Sequence, residues 1–278
     1  MEIGKQEHSK GVLIMKKIFL GIGHGGIDSG ASANGFKEKN MTLTIGLACR
    51  DYLQANGVKV GMSRIKDEND DINERIRECN TFKPDIAMDI HINSGGGDGF
   101  ESYYHYKGGL SKTLAQNCES EVKKLHQNSR GCKIKKNSSG TDYYAFIRET
   151  KCPAVINELG FIDNKTDLKA FDEEEELKAF GYAYARGCLK TLGLKDNGLK
   201  GETTSKNSYY IKVANVKKDD VLNIREKPNA NARITGKLVY NDPNTYTIVE
   251  EKTSSDGGKW GKLKSGIGWI NLYYTKKV

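Results

Sequence analysis

Proline is scarce in this chain, 4 in 278 residues, which excludes a Pro-rich disordered or polyproline protein. No apolar run approaches the ~20 residues of a membrane-spanning helix; stretches such as Ile18–Leu20 and Ala154–Ile156 are far shorter. The 31 glycines lack the every-third-residue period of collagen. None of the six cysteines forms a C-x-x-C pair, which argues against a zinc ribbon. Scattered through predicted helices and strands, they read as buried free thiols; only the proximity of Cys118 and Cys132 is left open. The opening residues lack the form of a signal peptide, because Glu2 and Glu7 come early and Lys16 and Lys17 break the apolar stretch. Residues 1–14 read as an extension ahead of a natural start at Met15, since Lys10-Gly11-Val12 can be encoded by a purine-rich ribosome-binding signal.

What is present suits about two domains at roughly 150 residues each. The 37% hydrophobic content is enough for a sizeable core, and the 29% charge places the chain among soluble globular proteins. The net charge of +8 is uneven, with 14 Lys/Arg against 8 Asp/Glu in residues 201–278. A basic C-terminal part implies an acidic partner: nucleic acid, an anionic membrane or an anionic cell-wall polymer.

Hydrophobic periodicity predicts strands at Ile18–Gly23, Val58–Ser63, Asp85–Asn93, Gly99–Tyr106 and Cys152–Leu159. It predicts helices at Asn40–Asn56, Asp71–Cys79, Leu110–His126 and Glu173–Leu192. This alternation implies an α/β domain over 15–193 with a mostly parallel twisted sheet flanked by helices, and a ligand site beyond the strands' carboxyl ends. The polar stretch 194–208 reads as a linker. Six short strand-like runs over 209–278 read as a small all-β barrel.

Three polar residues sit at or near the ends of predicted strands. His24 lies in a Gly-rich turn, where glycine neighbours permit close approach of a ligand or metal. Asp89, His91 and Asn93 share one face of an otherwise apolar strand. Glu158 interrupts the apolar run Ala154–Leu159, and a buried carboxylate is costly unless paired, metal-bound or catalytic. Glu38 follows a Gly-rich loop and opens the first helix, where a capping role is the plain alternative. Two histidines with a carboxylate form a common set for catalytic zinc, and a further carboxylate serves as general base.

The segment GIGHGGIDSGASANGFKEKNMTLTIGLACRDYLQANG resembles the opening of the zinc-dependent N-acetylmuramoyl-L-alanine amidases of the amidase-3 type. DIAMDIHINS is similar to their second His motif, and DYYAFIRETKCPAVINELGFIDN to their Arg-containing strand and closing Glu motif. The resemblance spans about 16–192. It implies a Zn2+ cofactor held by His24, Glu38 and His91, Glu158 as catalytic acid/base, and substrate contacts from Arg148 and Asn93. Asp28 and Asp89 are candidates to receive the outward ring nitrogens of the histidines. Asn157, and the Gly-rich loop 94–98, depart from the family pattern and bear on cleft shape and substrate preference.

The string Val221–Pro228 is similar to the L-N-x-R-x-x-P signature of bacterial SH3-like domains, and Trp260–Leu263 and Gly268–Ile270 extend the match. This resemblance implies a wall-binding module over 209–278. Trp260 and Trp269 read as barrel core, with Tyr273 and Tyr274 as exposed contacts. The whole chain then reads as a peptidoglycan-cutting endolysin of Gram-positive walls, made in the cytoplasm and acting after release, without nucleic acid or membrane insertion. The alternatives are a bacterial autolysin, cell-separation or spore-related amidase, and a non-catalytic wall binder.

Overall fold

Ile18, Leu20 and Ile22 point from the first strand, β1 (Lys17–Ile22), into one layer of the domain, while Phe19 points into the other. That double burial explains the unbroken apolar run, since a central parallel strand is covered on both faces. Each fully buried Leu or Ile contributes about 1.5–3 kcal/mol relative to exposure. The computed structural model describes residues 15–199 and 209–278 apart from 243, 255, 265 and 266. The extension 1–14 and linker residues 200–208 fall outside the described residues.

After β1 come the short hairpin β2 (Ser32–Ala33) and β3 (Phe36–Lys37), then α1 (Glu38–Ala55), β4 (Lys59–Met62), α2 (Ile72–Phe82) and β5 (Ile86–Asn93). Next are β6 (Phe100–Tyr104), α3 (Leu110–Lys123), β7 (Ser129–Lys133), α4 (Ala145–Glu149), β8 (Ala154–Phe161), α5 (Lys165–Phe171) and α6 (Glu174–Thr191). The main sheet runs β4-β1-β5-β8-β6-β7. The first four are mutually parallel, and β6 and β7 run antiparallel to them. Helices α1, α3 and α6 supply the larger core on one face; α2 and α4 cover part of the other with Ile76, Phe146 and Ile147. Because α2 and α4 are short, the carboxyl ends of β1, β5 and β8 stay open on that face. Helix α2 starts where Asp71 accepts from the backbone N–H groups of Asn73 and Glu74, a cap worth about 1 kcal/mol.

Several elements differ from the sequence expectation. Strand β7 and helix α5 carry no clear apolar period; Ser129–Lys133 is an edge strand with Arg, Gly and Lys in it. Arg148 lies on a helix rather than a strand, because Phe146 and Ile147 are buried together by a single turn. The Leu110 helix ends at Lys123, and the chain then turns through His126 at φ +65°. Residues 194–199, read as the start of the linker, pack on the α/β domain. Leu194 and Leu199 join its core, Asp196 accepts from the Tyr52 hydroxyl at 2.8 Å, and the Gly198 carbonyl accepts from Asn56.

The chain divides into two compact units after Leu199. The second unit consists of β9 (Tyr209–Val213), β10 (Val221–Arg225), β11 (Ile234–Val239), β12 (Tyr246–Thr253), β13 (Lys259–Leu263), β14 (Trp269–Asn271) and β15 (Thr275–Lys277). They form one antiparallel sheet in the order β11-β10-β14-β13-β12-β9-β15 around a core that includes Ile211, Leu222, Ile224, Ile248 and Ile270. Trp260 and Trp269 are buried, while Tyr273 is 71% exposed. All six cysteines are free thiols, four of them buried, and Cys132 donates to Glu119 rather than bonding Cys118.

Candidate metal centre and catalytic cleft

A cavity of about 690 Å³ opens at the carboxyl ends of β1, β5 and β8, with His24, Asp89, His91, Tyr144, Ile156 and Glu158 on its lining. His24 comes from the turn after β1, where its own φ is +63°. Two glycines make the space. A Cβ on Gly23 would lie 2.5 Å from the His91 ring, and one on Gly30 would lie 2.7 Å from the Glu38 carboxylate.

Glu38 is fixed at the start of α1 by backbone donors. Oε2 accepts from Ala31 N at 2.9 Å and Oε1 from Ile92 N at 2.9 Å. The same oxygens face His24 Nε2 at 3.2 Å and His91 Nδ1 at 3.0 Å. The opposite ring nitrogens have their own acceptors: His24 Nδ1 meets Asp28 Oδ2 at 2.8 Å, and His91 Nε2 meets Asp89 Oδ2 at 3.3 Å. Each imidazole thus has a carboxylate behind the ring nitrogen that faces away from Glu38, as metal-ligating histidines commonly do. One donor atom from each of His24, Glu38 and His91 falls within 4.8 Å of the others.

The electrostatics are compatible with a bound cation. Burial favours neutral Glu38, but the bonds from His24 and His91 overcome it and hold the carboxyl well below its usual range. Burial lowers the affinity of both histidines for protons; Glu38 and Asp28 outweigh it at His24, and Asp89 and Glu38 at His91, so both are raised. A site that pulls protons onto two imidazoles beside an ionised carboxylate also suits a divalent cation with N/O preference, and the donor set fits zinc.

Glu158 stands on the cleft floor opposite His91 in the β5–β8 register. Its Oε2 is sheltered and has no hydrogen-bond partner among the described residues. Burial is the main cause that moves its carboxyl up to about 7, against the opposing pull of His91. A carboxyl so placed can exchange a proton near neutral pH.

The structure brings His24, Glu38, His91 and Glu158 together, with Asp28 and Asp89 behind the histidines. It does not bring Arg148 onto this cleft. That guanidinium donates to the carbonyls of Asp142 and Tyr143 at 2.8 and 2.9 Å and to Glu149 at 2.7 Å, and it lines a separate cavity of about 330 Å³ with His105 and Lys151. Asn93 is turned aside by an irregularity in register after His91. Its amide donates to Glu101 at 3.4 Å and its oxygen accepts from Ser94 N.

Sequence reasoning missed three contributors. Buried Arg75 of α2 donates to both oxygens of Asp89 at 3.1 and 3.0 Å and so fixes the acceptor of His91. Buried Arg64 gathers the carbonyls of Ile22, Gly23 and Lys39, holding the turn that carries His24. Tyr144 walls the cleft. A signal existed only for Arg75, which adjoins Ile76 on the inward face of its helix.

The comparisons agree with this architecture. The N-acetylmuramoyl-L-alanine amidase family profile matches residues 18–190, and the chain belongs to that family. It is 34% identical over 203 residues to the sporulation-specific N-acetylmuramoyl-L-alanine amidase of Bacillus subtilis, covering 72% of this chain and 74% of that protein. It is 30% identical over 259 residues to the endolysin of Bacillus phage SPP1, covering 91% and 94%. Among solved structures, Cwp6 from Clostridium difficile superposes with a TM-score of 0.63 at 35% identity, over 64% of this chain and 29% of that one.

Proposed function

We propose that the protein is a zinc-dependent peptidoglycan hydrolase. It cleaves the amide between the lactyl group of N-acetylmuramic acid and L-alanine and acts as a wall-lytic endolysin. The observation that carries this reading is the junction of His24, Glu38 and His91 with the buried Glu158 carboxyl, whose Oε2 has no hydrogen-bond partner among the described residues, in one cleft of a family amidase domain. His24 Nε2, the Glu38 carboxylate and His91 Nδ1 would hold the zinc, whose chemistry when bound is Lewis-acid polarisation of the scissile carbonyl and activation of water. Asp28 and Asp89 keep both ring N–H groups turned outward. Glu158 takes the proton from the attacking water and returns it to the alanine nitrogen as the C–N bond breaks.

The C-terminal unit is, on this reading, an SH3-like wall-binding module that raises the local concentration of the enzyme on its polymer. The endolysin assignment draws on the match to the phage protein, which extends into that unit. A role in sporulation or cell separation is the second reading, favoured by the match to the sporulation-specific amidase.

The test is digestion of purified Gram-positive peptidoglycan by the intact protein, by Glu158→Ala and by a chelator-treated sample. New alanine amino termini without new reducing sugar, lost in both controls, are expected. Reducing ends would make the enzyme a glycosidase. Sedimentation with walls without cleavage would leave a binding protein.

A further inference from the structure

The open face of the sheet continues past Glu158. In the antiparallel β6–β8 pair the next residue across is Glu101, and the edge strand β7 follows it with Glu101 opposite Gly131 and Tyr103 opposite Lys133. Glu101 is buried, with its carboxyl held below the ordinary range: burial opposes this, but Lys133, Arg130 and Tyr103 prevail. Lys133 Nζ donates to its Oε1 at 2.6 Å, Arg130 Nε donates to the same oxygen, and the Tyr103 hydroxyl donates to Oε2 at 2.8 Å.

The cations outnumber the carboxylate. Two basic groups share one oxygen of one carboxylate, so the cluster keeps a net charge of +1. Arg130 uses only Nε, and among the described residues its two terminal nitrogens have no hydrogen-bond partner. The side chains of Arg130 and Lys133 are 45% and 34% exposed. Arg130 also rests 5.4 Å from the Phe161 ring centroid, which limits its freedom. A half-exposed guanidinium whose two terminal donors are unpaired among the described residues is suited to a bidentate carboxylate.

Distance selects the ligand. Adjacent strands lie about 4.8 Å apart, so β7 is about 10 Å from the Glu158 strand. An extended peptide advances about 3.4 Å per residue, so two residues past the scissile bond cover about 7 Å, and the carboxylate branch together with the reach of the Arg130 and Lys133 side chains closes the rest of the gap.

We propose that Arg130 and Lys133, held in place by Glu101, form a subsite that binds a free carboxylate on the second residue of the peptide attached to the muramoyl group. This rests on the amidase reading. The subsite would make the enzyme prefer stems in which that carboxylate is free over stems in which it is amidated.

The test uses the full chain loaded with zinc and two N-acetylmuramoyl-L-alanyl dipeptides, identical except that the second residue carries a carboxylate or its amide. Their kcat/KM ratio is expected to favour the carboxylate about tenfold or more, in keeping with a charge-assisted bond. Arg130→Gln and Lys133→Gln are expected to bring the ratio toward one, with Arg130→Lys intermediate. Binding of the two released dipeptides is measured in parallel by calorimetry. Equal rates and equal binding for carboxylate and amide in the unaltered protein would overturn the subsite while leaving the amidase reading intact. An unchanged ratio in the Arg130 and Lys133 variants would also overturn it, reducing the cluster to a structural ion group. Absence of cleavage with carboxylate-selective, Arg130-dependent binding would overturn the amidase reading and keep the subsite.

Discussion

Glu158 and Glu101 face each other across the β6–β8 pair, and of the two Glu101 is the one ion-paired to Arg and Lys side chains among the described residues. Glu101 is ion-paired to Arg130 and Lys133, whereas Glu158 has a sheltered oxygen without a hydrogen-bond partner among the described residues and a carboxyl moved up to about 7, chiefly by burial. Two carboxyl groups on one face thus acquire different work. Glu101 is held as a charge by its cations, and Glu158 is held toward its protonated form.

Replacing Glu158 by Gln is expected to lower hydrolysis by about 10²–10⁴-fold, the range of general acid–base contributions. Zinc content should stay near one per chain, because Glu158 lies outside the cluster of His24, Glu38 and His91. Metal analysis beside the rate assay checks this, and loss of metal together with activity would reassign Glu158.

The same residue predicts a pH dependence of stability in metal-free protein. Its carboxyl rises from 4.5 to about 7 on folding, so the folded state prefers it protonated. Its contribution is full below about pH 4.5 and is lost as pH climbs to about 7, by up to about 3 kcal/mol. Glu38 has the opposite sign: its lowered pKa stabilises above 4.5 and that gain is lost on acidification. Urea midpoints of the chelated protein and of Glu158→Gln should therefore separate between pH 4.5 and 7, the variant becoming the more stable. Parallel curves would contradict the assigned environment.

Asp28→Asn and Asp89→Asn are each expected to weaken zinc binding about 10–100-fold, the usual effect of removing a histidine's outer acceptor. Asp163→Asn, whose native carboxylate accepts from Gly95 and Gly96, serves as the comparison and should leave affinity unchanged. Competition against a chromophoric chelator measures all three.

Gly23→Ala places a Cβ 2.5 Å from the His91 ring and 2.7 Å from the Ile90 carbonyl. Something must shift, and zinc affinity should fall even where the circular dichroism spectrum remains native. Retention of full affinity would show that the turn after β1 relaxes freely.

Trp269→Ala removes a buried side chain from the second unit and should destabilise it by about 3–5 kcal/mol. On the wall-binding reading, pull-down on walls weakens while cleavage of soluble muropeptides persists. Parallel loss of both activities would tie the second unit to catalysis.

Much of the fold was legible because its strands are buried on both faces. The runs around Ile18, Ile86 and Val155 had no alternative that left them solvated, and His24, His91 and Glu158 stood out against them. Edge strand β7 was illegible for the converse reason: one side meets solvent, and Arg130, Gly131 and Lys133 give it the composition of a loop. Arg148 was misplaced because Phe146 and Ile147 fit one buried helical turn as well as a strand. The place of Asn93 was not legible because simple alternation fails at the irregularity after His91.

By itself the sequence determined the alternation of elements, the apolar layers and the kinds of donor available, since periodicity and residue chemistry are local. Tertiary structure alone decided which donors converge. Successive members of the set His24, Glu38, His91 and Glu158 lie 14 to 67 positions apart, and they meet because the parallel strands β1, β5 and β8 run side by side and the start of α1 packs against them. It also decided which carboxyl stays charged. Burial and strand register, neither of which is written in local sequence, give Glu101 two ion-paired cations and leave Glu158 with a sheltered oxygen that has no hydrogen-bond partner among the described residues.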